Sequence, residues 1–248
     1  MSLHSFVRKA FSWIASGACA ITLSGCQGAL FNPNHSQVRI IDVSPDAPDL
    51  DVYQNSSAIA YRMGFGTITS YVAVDPGAYT TTATMSGTRQ ALASSKVMMA
   101  AAEQYTVLIG NFSSNMQQFV LKDQSQPAPS GQIALRFIGQ AARIGPVDIY
   151  LTPAGQKLTA VAPVVTNVSF GANTGYLNFP AGSYTLVMLP AGELPGGDTE
   201  AAYTGAQVSY ASGSASTIVL IDQQRLSEPP DLQVIIAPDY VPAANQPR

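Results

Sequence analysis

From Val38 onward the chain is written in short runs of β-branched, aromatic and other apolar residues, broken repeatedly by Gly, Pro, Asn, Asp and Ser. Such spacing is the mark of strands joined by turns. In the first half it predicts strands over 38–43, 51–54, 58–61, 70–74, 79–85, 91–99, 105–111 and 118–122. In the second it predicts 132–138, 147–152, 164–169, 175–179, 183–189, 206–211, 216–222 and 233–237. No segment sustains a 3.6-residue period, and Ala100-Ala101-Ala102-Glu103 allows one helical turn at most. Seven or eight strands in about 90 residues is the density of a β-sandwich.

The two halves echo each other. Val38-Arg39-Ile40-Ile41 returns as Leu135-Arg136-Phe137-Ile138, and Asp51-Val52-Tyr53 as Asp148-Ile149-Tyr150, both at an offset of 97. Phe65-Gly66, Tyr71 and Gly77-Ala78-Tyr79-Thr80 return as Phe170-Gly171, Tyr176 and Gly182-Ser183-Tyr184-Thr185 at an offset of 105. Conserved order with one small insertion implies two copies of one fold. The Pro-rich stretch 124–131 lies between them as a linker. In Asp75-Pro76-Gly77 the proline presets the first corner, and the glycine is expected to take the positive φ of a type II turn; Pro180-Ala181-Gly182 is its counterpart. Tyr79 and Tyr184, which follow, are expected at sandwich edges with their hydroxyls on backbone carbonyls.

Before the repeats stands a different pattern. Arg8 and Lys9 precede an uncharged run of 14 residues, Ala10 to Leu23, too short for a spanning helix of roughly 20 residues. Leu23-Ser24-Gly25-Cys26 closes it and looks like a bacterial lipobox, in which a peptidase cuts before the cysteine and the thiol is acylated. A single acyl chain gives marginal binding, so a fully acylated Cys26 is what would make the anchor stable. Gln27, in place of an inner-membrane-retaining Asp, favours the outer membrane if the source is Gram-negative. The expected organisation is a lipoprotein signal peptide over 1–25, a lipidated tether over 26–37, sandwiches over 38–123 and 132–240 around the linker, and a tail over 241–248.

Composition narrows the chemistry. Without the first 25 residues there are 10 basic and 15 acidic side chains, so the balance is weakly acidic and no basic cluster points to nucleic acid. Cys19 leaves with the signal and Cys26 takes lipid, so no thiol remains for a disulfide and burial must hold the cores. His35 is the one remaining imidazole and lies in the tether. There is no Gly-x-Ser-x-Gly elbow, no Cys/His cluster and no phosphate loop, so neither an enzyme nor a cofactor is expected. The alternating acids Asp46, Asp49 and Asp51 are weak candidates for calcium, competing with a role as backbone acceptors in turns. The stretch 189–205 is longer than its counterpart around Ser86-Gly87-Thr88. Glu193, Leu194, Asp198 and Tyr203 make it a possible recognition loop, against the plainer reading of a tolerated insertion.

The run Val38-Arg39-Ile40-Ile41-Asp42-Val43-Ser44-Pro45-Asp46-Ala47-Pro48-Asp49-Leu50-Asp51-Val52-Tyr53, with Phe65-Gly66, Tyr71 and Pro76-Gly77-Ala78-Tyr79-Thr80, resembles the DUF4397 family of bacterial and archaeal envelope proteins. Asp42 stands where that family commonly has a histidine, and the second half replaces the Ser-Pro-Asp-Ala-Pro loop with Gln140-Ala141-Ala142-Arg143-Ile144-Gly145-Pro146. The resemblance implies tandem β-sandwiches, immunoglobulin-like or transthyretin-like, with no activity to inherit. Together these readings predict a non-catalytic, membrane-anchored envelope lipoprotein. Its partner is expected to be an envelope protein, or alternatively a carbohydrate or cell-wall glycan; an envelope hydrolase using a pair of carboxylates is the least favoured alternative.

Overall fold

The computed structural model describes residues 33–197, 200–223 and 232–242. Leu23, Ser24, Gly25, Cys26 and Asp198 therefore lie outside the described residues. Eight strands build the first sandwich: β1 (Ser36–Asp42), β2 (Leu50–Gln54), β3 (Ser57–Met63), β4 (Val72–Val74), β5 (Gly77–Met85), β6 (Ala91–Met99), β7 (Gln104–Gly110) and β8 (Gln117–Asp123). Eight build the second: β9 (Gln132–Gly139), β10 (Val147–Pro153), β11 (Val165–Val168), β12 (Asn173–Pro180), β13 (Gly182–Pro190), β14 (Tyr203–Tyr210), β15 (Ala215–Asp222) and β16 (Leu232–Tyr240). Two single 3-10 turns, Ser113–Asn115 and Leu158–Ala160, are the helical elements among the described residues. No helix among the described residues is long and apolar enough to cross a membrane.

Each sandwich pairs an outer sheet, β3-β2-β5-β6 or β11-β10-β13-β14, with an inner sheet, β4-β1-β7-β8 or β12-β9-β15-β16. In each inner sheet the opening strand lies parallel to the seventh, β1 to β7 and β9 to β15, while the remaining pairs are antiparallel. Alternate side chains of the facing sheets meet to form the cores. Val38, Ile40, Leu50, Val52 and Val107 sit in the first, and Leu135, Phe137, Ile149, Met188 and Ile218 in the second.

The other faces of the inner sheets are also covered, because the two sandwiches pack against each other there. Ile41, Val43 and Leu108 meet Ile138, Val219, Ile221 and Ala237 in a third apolar cluster, with Phe119, Leu121 and Ile235 against it. This double coverage is why every residue of β1 and β15 is buried. It also explains the apolar run Ile218-Val219-Leu220-Ile221 in β15 and the lack of apolar/polar alternation at Ile40-Ile41 in β1, since a strand with both faces covered has no solvent side to keep polar. Residues 124–131 do not hang free. Ala128 donates its N–H to the Gly213 carbonyl at 3.0 Å and packs on Ala134 and Ala215.

The two glycine turns differ from expectation. Gly77 (φ 158°) is extended and already pairs with Met99 as the first residue of β5, and Gly182 pairs with Tyr210 as the first of β13. The tyrosine two residues on explains the glycine. Its ring lies over the bare Cα, 3.9 Å from where a Cβ would stand at Gly77 and 3.7 Å at Gly182. The hydroxyl then reaches back as foreseen, Tyr79 to the Asp75 carbonyl and Tyr184 to that of Pro180, both at 2.8 Å.

Candidate functional site

Among the described residues, the largest concentration of buried charge lies at the seam between the sandwiches. Arg39 on β1 and Arg136 on β9 point from the inner sheets into the contact; with Asp123 and Asp239 they are all at most 5% exposed. Arg39 donates through Nε to Thr106 Oγ1 (2.8 Å) in its own sandwich, through Nη1 to the Pro238 carbonyl (2.7 Å) and through Nη2 to Asp239 Oδ1 in the other. Arg136 does the same in reverse. Its Nε reaches Thr217 Oγ1 (3.0 Å), its Nη1 the Lys122 carbonyl (3.0 Å) and its Nη2 Asp123 Oδ1 (2.5 Å). Thr106 and Tyr71 donate to Asp123 Oδ2, while Thr217 and Tyr176 donate to Asp239 Oδ2. The guanidinium groups stack on Tyr71 and Tyr176 at 4.6 and 4.7 Å.

Every member thus has a counterpart, and each arginine crosses to the aspartate of the other sandwich. Two positive and two negative charges balance with nearly all donors used, which is the condition under which buried ions are tolerated. Burial raises the Asp239 carboxyl, and the Arg39 guanidinium opposes that rise. Burial likewise raises the Tyr71 and Tyr176 hydroxyls, keeping both protonated and able to donate. Sequence reading saw Arg39, Arg136, Tyr71 and Tyr176 as repeat echoes and missed their role. The available signal was an arginine in mid-strand, flanked on both sides by apolar residues, in both halves.

The three acids singled out in 46–51 are not brought together. Asp46 accepts from Ser113 N–H (2.7 Å) and Ser113 Oγ (3.2 Å). Asp51 Oδ1 accepts from Arg62 N–H and Ser86 Oγ, and its Oδ2 from Gly87 N–H. These bonds, Arg62 N–H foremost, hold the Asp51 carboxyl below the usual carboxylate range. Asp49 Oδ1 lies beside Gly64. Asp148 repeats the Asp51 pattern with Asn167 N–H (2.8 Å) and Gly192 N–H (2.9 Å). Arg62 (φ 48°) and Asn167 (φ 58°) share a left-handed backbone, so each aspartate pins an irregular residue of an edge strand to the turn beyond the next one. Among the described residues no group of three or more His, Cys, Asp or Glu is arranged to hold a metal ion.

The long loop folds back onto the second sandwich. Ala191 N–H meets the Pro146 carbonyl (2.9 Å), and Ala201 joins Leu158 over Tyr150, Val187 and Leu189 on the outer sheet. Glu193 N–H bonds to the Pro190 carbonyl, while Leu194 stands 78% exposed. Tyr203 is not on the loop's outer surface. It begins β14, packs against the core, and burial raises its hydroxyl pKa.

Beside Tyr203 a cleft of about 170 Å³ opens between β14 and β16, lined by Tyr184, Tyr203, Tyr210, Leu151, Leu186, Val208 and Ile236 among others. The first sandwich is closed at the equivalent place. There Gln118 of β8 donates to the Thr81 carbonyl (3.1 Å) and Ser95 Oγ (2.6 Å), sewing β8 to the outer sheet. Matching registers, Ile109 with Gln118 and Leu220 with Val234, put Val234 where Gln118 would be. A bulge also interrupts β14, whose pairing to β13 shifts between Thr185–Gln207 and Val187–Thr204.

Comparison with known proteins adds the following. The family described as "Domain of unknown function (DUF4397)" matches residues 36–150 and 153–248. The first match covers the whole first sandwich and runs on to Tyr150 in β10. No curated protein matches. Among solved structures, a product complex of a multi-modular glycogen-degrading pneumococcal virulence factor, SpuA, is 9% identical with a TM-score of 0.26, over 77% of this chain and 21% of that one. A streptococcal virulence factor described for alpha-glucan binding is 10% identical with a TM-score of 0.23, over 74% and 92%. The Bacillus anthracis TIE protein is 9% identical with a TM-score of 0.24, over 83% and 44%. The chain thus spans about a fifth of the first of these, and superpositions this loose transfer nothing about ligands. The matched segments take in nearly all of both sandwiches, and the chain belongs to the DUF4397 family.

Proposed function

We propose that this chain is a non-catalytic display unit of the cell envelope. In this reading lipid on Cys26 holds it at a membrane, and its two sandwiches, locked as one body, present edges and loops to a protein partner. The observation that supports this most is the crossed seam. Its ion pairs and apolar cluster hold two modules in one orientation without leaving a solvent-filled cleft at the charged groups. A buried, self-satisfied set of charges serves placement, whereas catalysis needs ionisable groups that substrate can reach.

A carbohydrate partner is the second reading, and the tyrosine-lined cleft is what favours it. None of the lining side chains carries an amide or a charge to take a sugar's several hydroxyls, so the protein partner is preferred. The test is photo-crosslinking in intact cells, with the probe at Leu194 in the exposed loop and, separately, at Tyr61, which is 68% exposed. Discrete protein adducts that vanish with Cys26→Ser are expected. Adducts to glycan alone would replace this reading with the second.

A further inference from the structure

The open seam of the second sandwich is built from substitutions that each work toward an opening. Where the first sandwich places Ala93 opposite Ala83 and Met99 opposite Gly77, the second places Tyr203 opposite Met188 and Tyr210 opposite Gly182. Val120, packed against the first core, is matched by Ile236, which stands 37% exposed on the cleft's rim. Tyr210 is only 8% exposed, and Tyr203 is partly buried beside it along the same cavity. Burial raises the Tyr210 pKa, and the neighbouring Tyr203 raises it further.

The strand alongside has a second peculiarity. Bare sheet edges invite pairing with other chains, and proteins guard them with charge, proline or shortness. Here β3 carries Arg62, β6 Lys96 and β8 Lys122; β12 and β16 contain Pro180 and Pro238; β4 and β11 are only three and four residues long. β14 spans eight residues with neither charge nor proline, and among the described residues it pairs on one side only, with β13. An uncharged edge next to an uncharged cleft selects an uncharged occupant, since a charge laid across it would lose water and gain no partner.

We propose that β14 is a docking edge for an extended, uncharged segment of a partner protein, which adds as a strand and seats one aromatic side chain in the cleft between β14 and β16. The volume suits one ring: an apolar cavity of about 150 Å³ accepts benzene. Backbone pairing then supplies affinity and the pocketed ring supplies choice of partner. This rests on the protein-contact reading above and adds the place and chemistry of the contact.

The test is a titration of the full chain, followed by NMR, with the end-blocked peptide Thr-Val-Thr-Phe-Thr-Val-Thr and with its Phe→Ala form. Saturable shifts are expected at the amides of residues 204–209 and the methyls of Ile236, with binding at least tenfold weaker for the alanine peptide. Ile236→Trp, which fills the cleft, and Gln207→Lys, which guards the edge, should each weaken the Phe peptide at least tenfold. Equal binding of both peptides, shifts confined to another edge, or no saturation at millimolar peptide would overturn the proposal. So would shifts at these residues on adding maltose alone, or on raising protein concentration alone, which would assign the cleft to sugar or to a second copy. Crosslinks to protein at Leu194 with no peptide binding at β14 would sink this proposal while leaving the display reading standing.

Discussion

Asp42 shows how one side chain can set the chain's response to acid. It ends β1 fully buried, with Oδ1 accepting from Ser44 N–H at 3.0 Å and Oδ2 without a partner among the described residues. Burial pushes its carboxyl up to about 7; the Ser44 bond opposes that rise and the charge of Asp49 adds to it. In the unfolded chain the group ionises near 3.9. Between about pH 4 and 7 the folded form therefore binds a proton that the unfolded form lacks, so stability falls as pH rises through that window and stays lower above it. Asp42→Asn cannot ionise. Thermal unfolding should find it close to the parent at pH 4 and more stable at pH 8, by about 1–3 kcal/mol; equal differences at both pH values would remove Asp42 as the cause. The sequence exposed Asp42 as the odd residue at a family histidine position, and Tyr79 and Tyr184 as edge locks. It could not expose the roles of Gly77 and Gly182, because whether a glycine sits in a turn or under a ring depends on where the next tyrosine folds.

At the scale of strands, the lesson is in the faces. The strand positions were legible because β-branched runs and turn residues alternate locally, and the long loop was legible as an insertion. The pairing of inner sheet with inner sheet was not, because no local rule says whether a strand's second face meets water or another module. Only the mid-strand arginines, set between apolar neighbours in both halves, hinted at it. Those arginines make a sharp prediction. Arg39→Met strands Asp239 in the seam and should cost about 3–5 kcal/mol in urea unfolding. Adding Asp239→Leu should recover a substantial part, so that the two changes together cost less than the sum of each alone. Strict additivity would mean that the crossed pair carries no coupling.

For the molecule as a whole, the third apolar cluster and the two ion pairs join cores that would otherwise be independent. Calorimetry should record one unfolding transition for both sandwiches, with calorimetric and van't Hoff enthalpies in agreement. The double variant Arg39→Met/Arg136→Met should broaden it or split it in two, and two resolved transitions in the unaltered chain would count against a fused body. The pseudo-twofold seam also bears on dilution. Each half offers an arginine and an aspartate placed so that the same surface could receive its own duplicate, the self-matching contact of a symmetric dimer. Here the duplicate is covalently attached, through the eight-residue connection 124–131. The encounter is intramolecular, at an effective concentration of about millimolar. A pairing that in separate subunits would come and go with abundance is thus made insensitive to how many copies a cell holds.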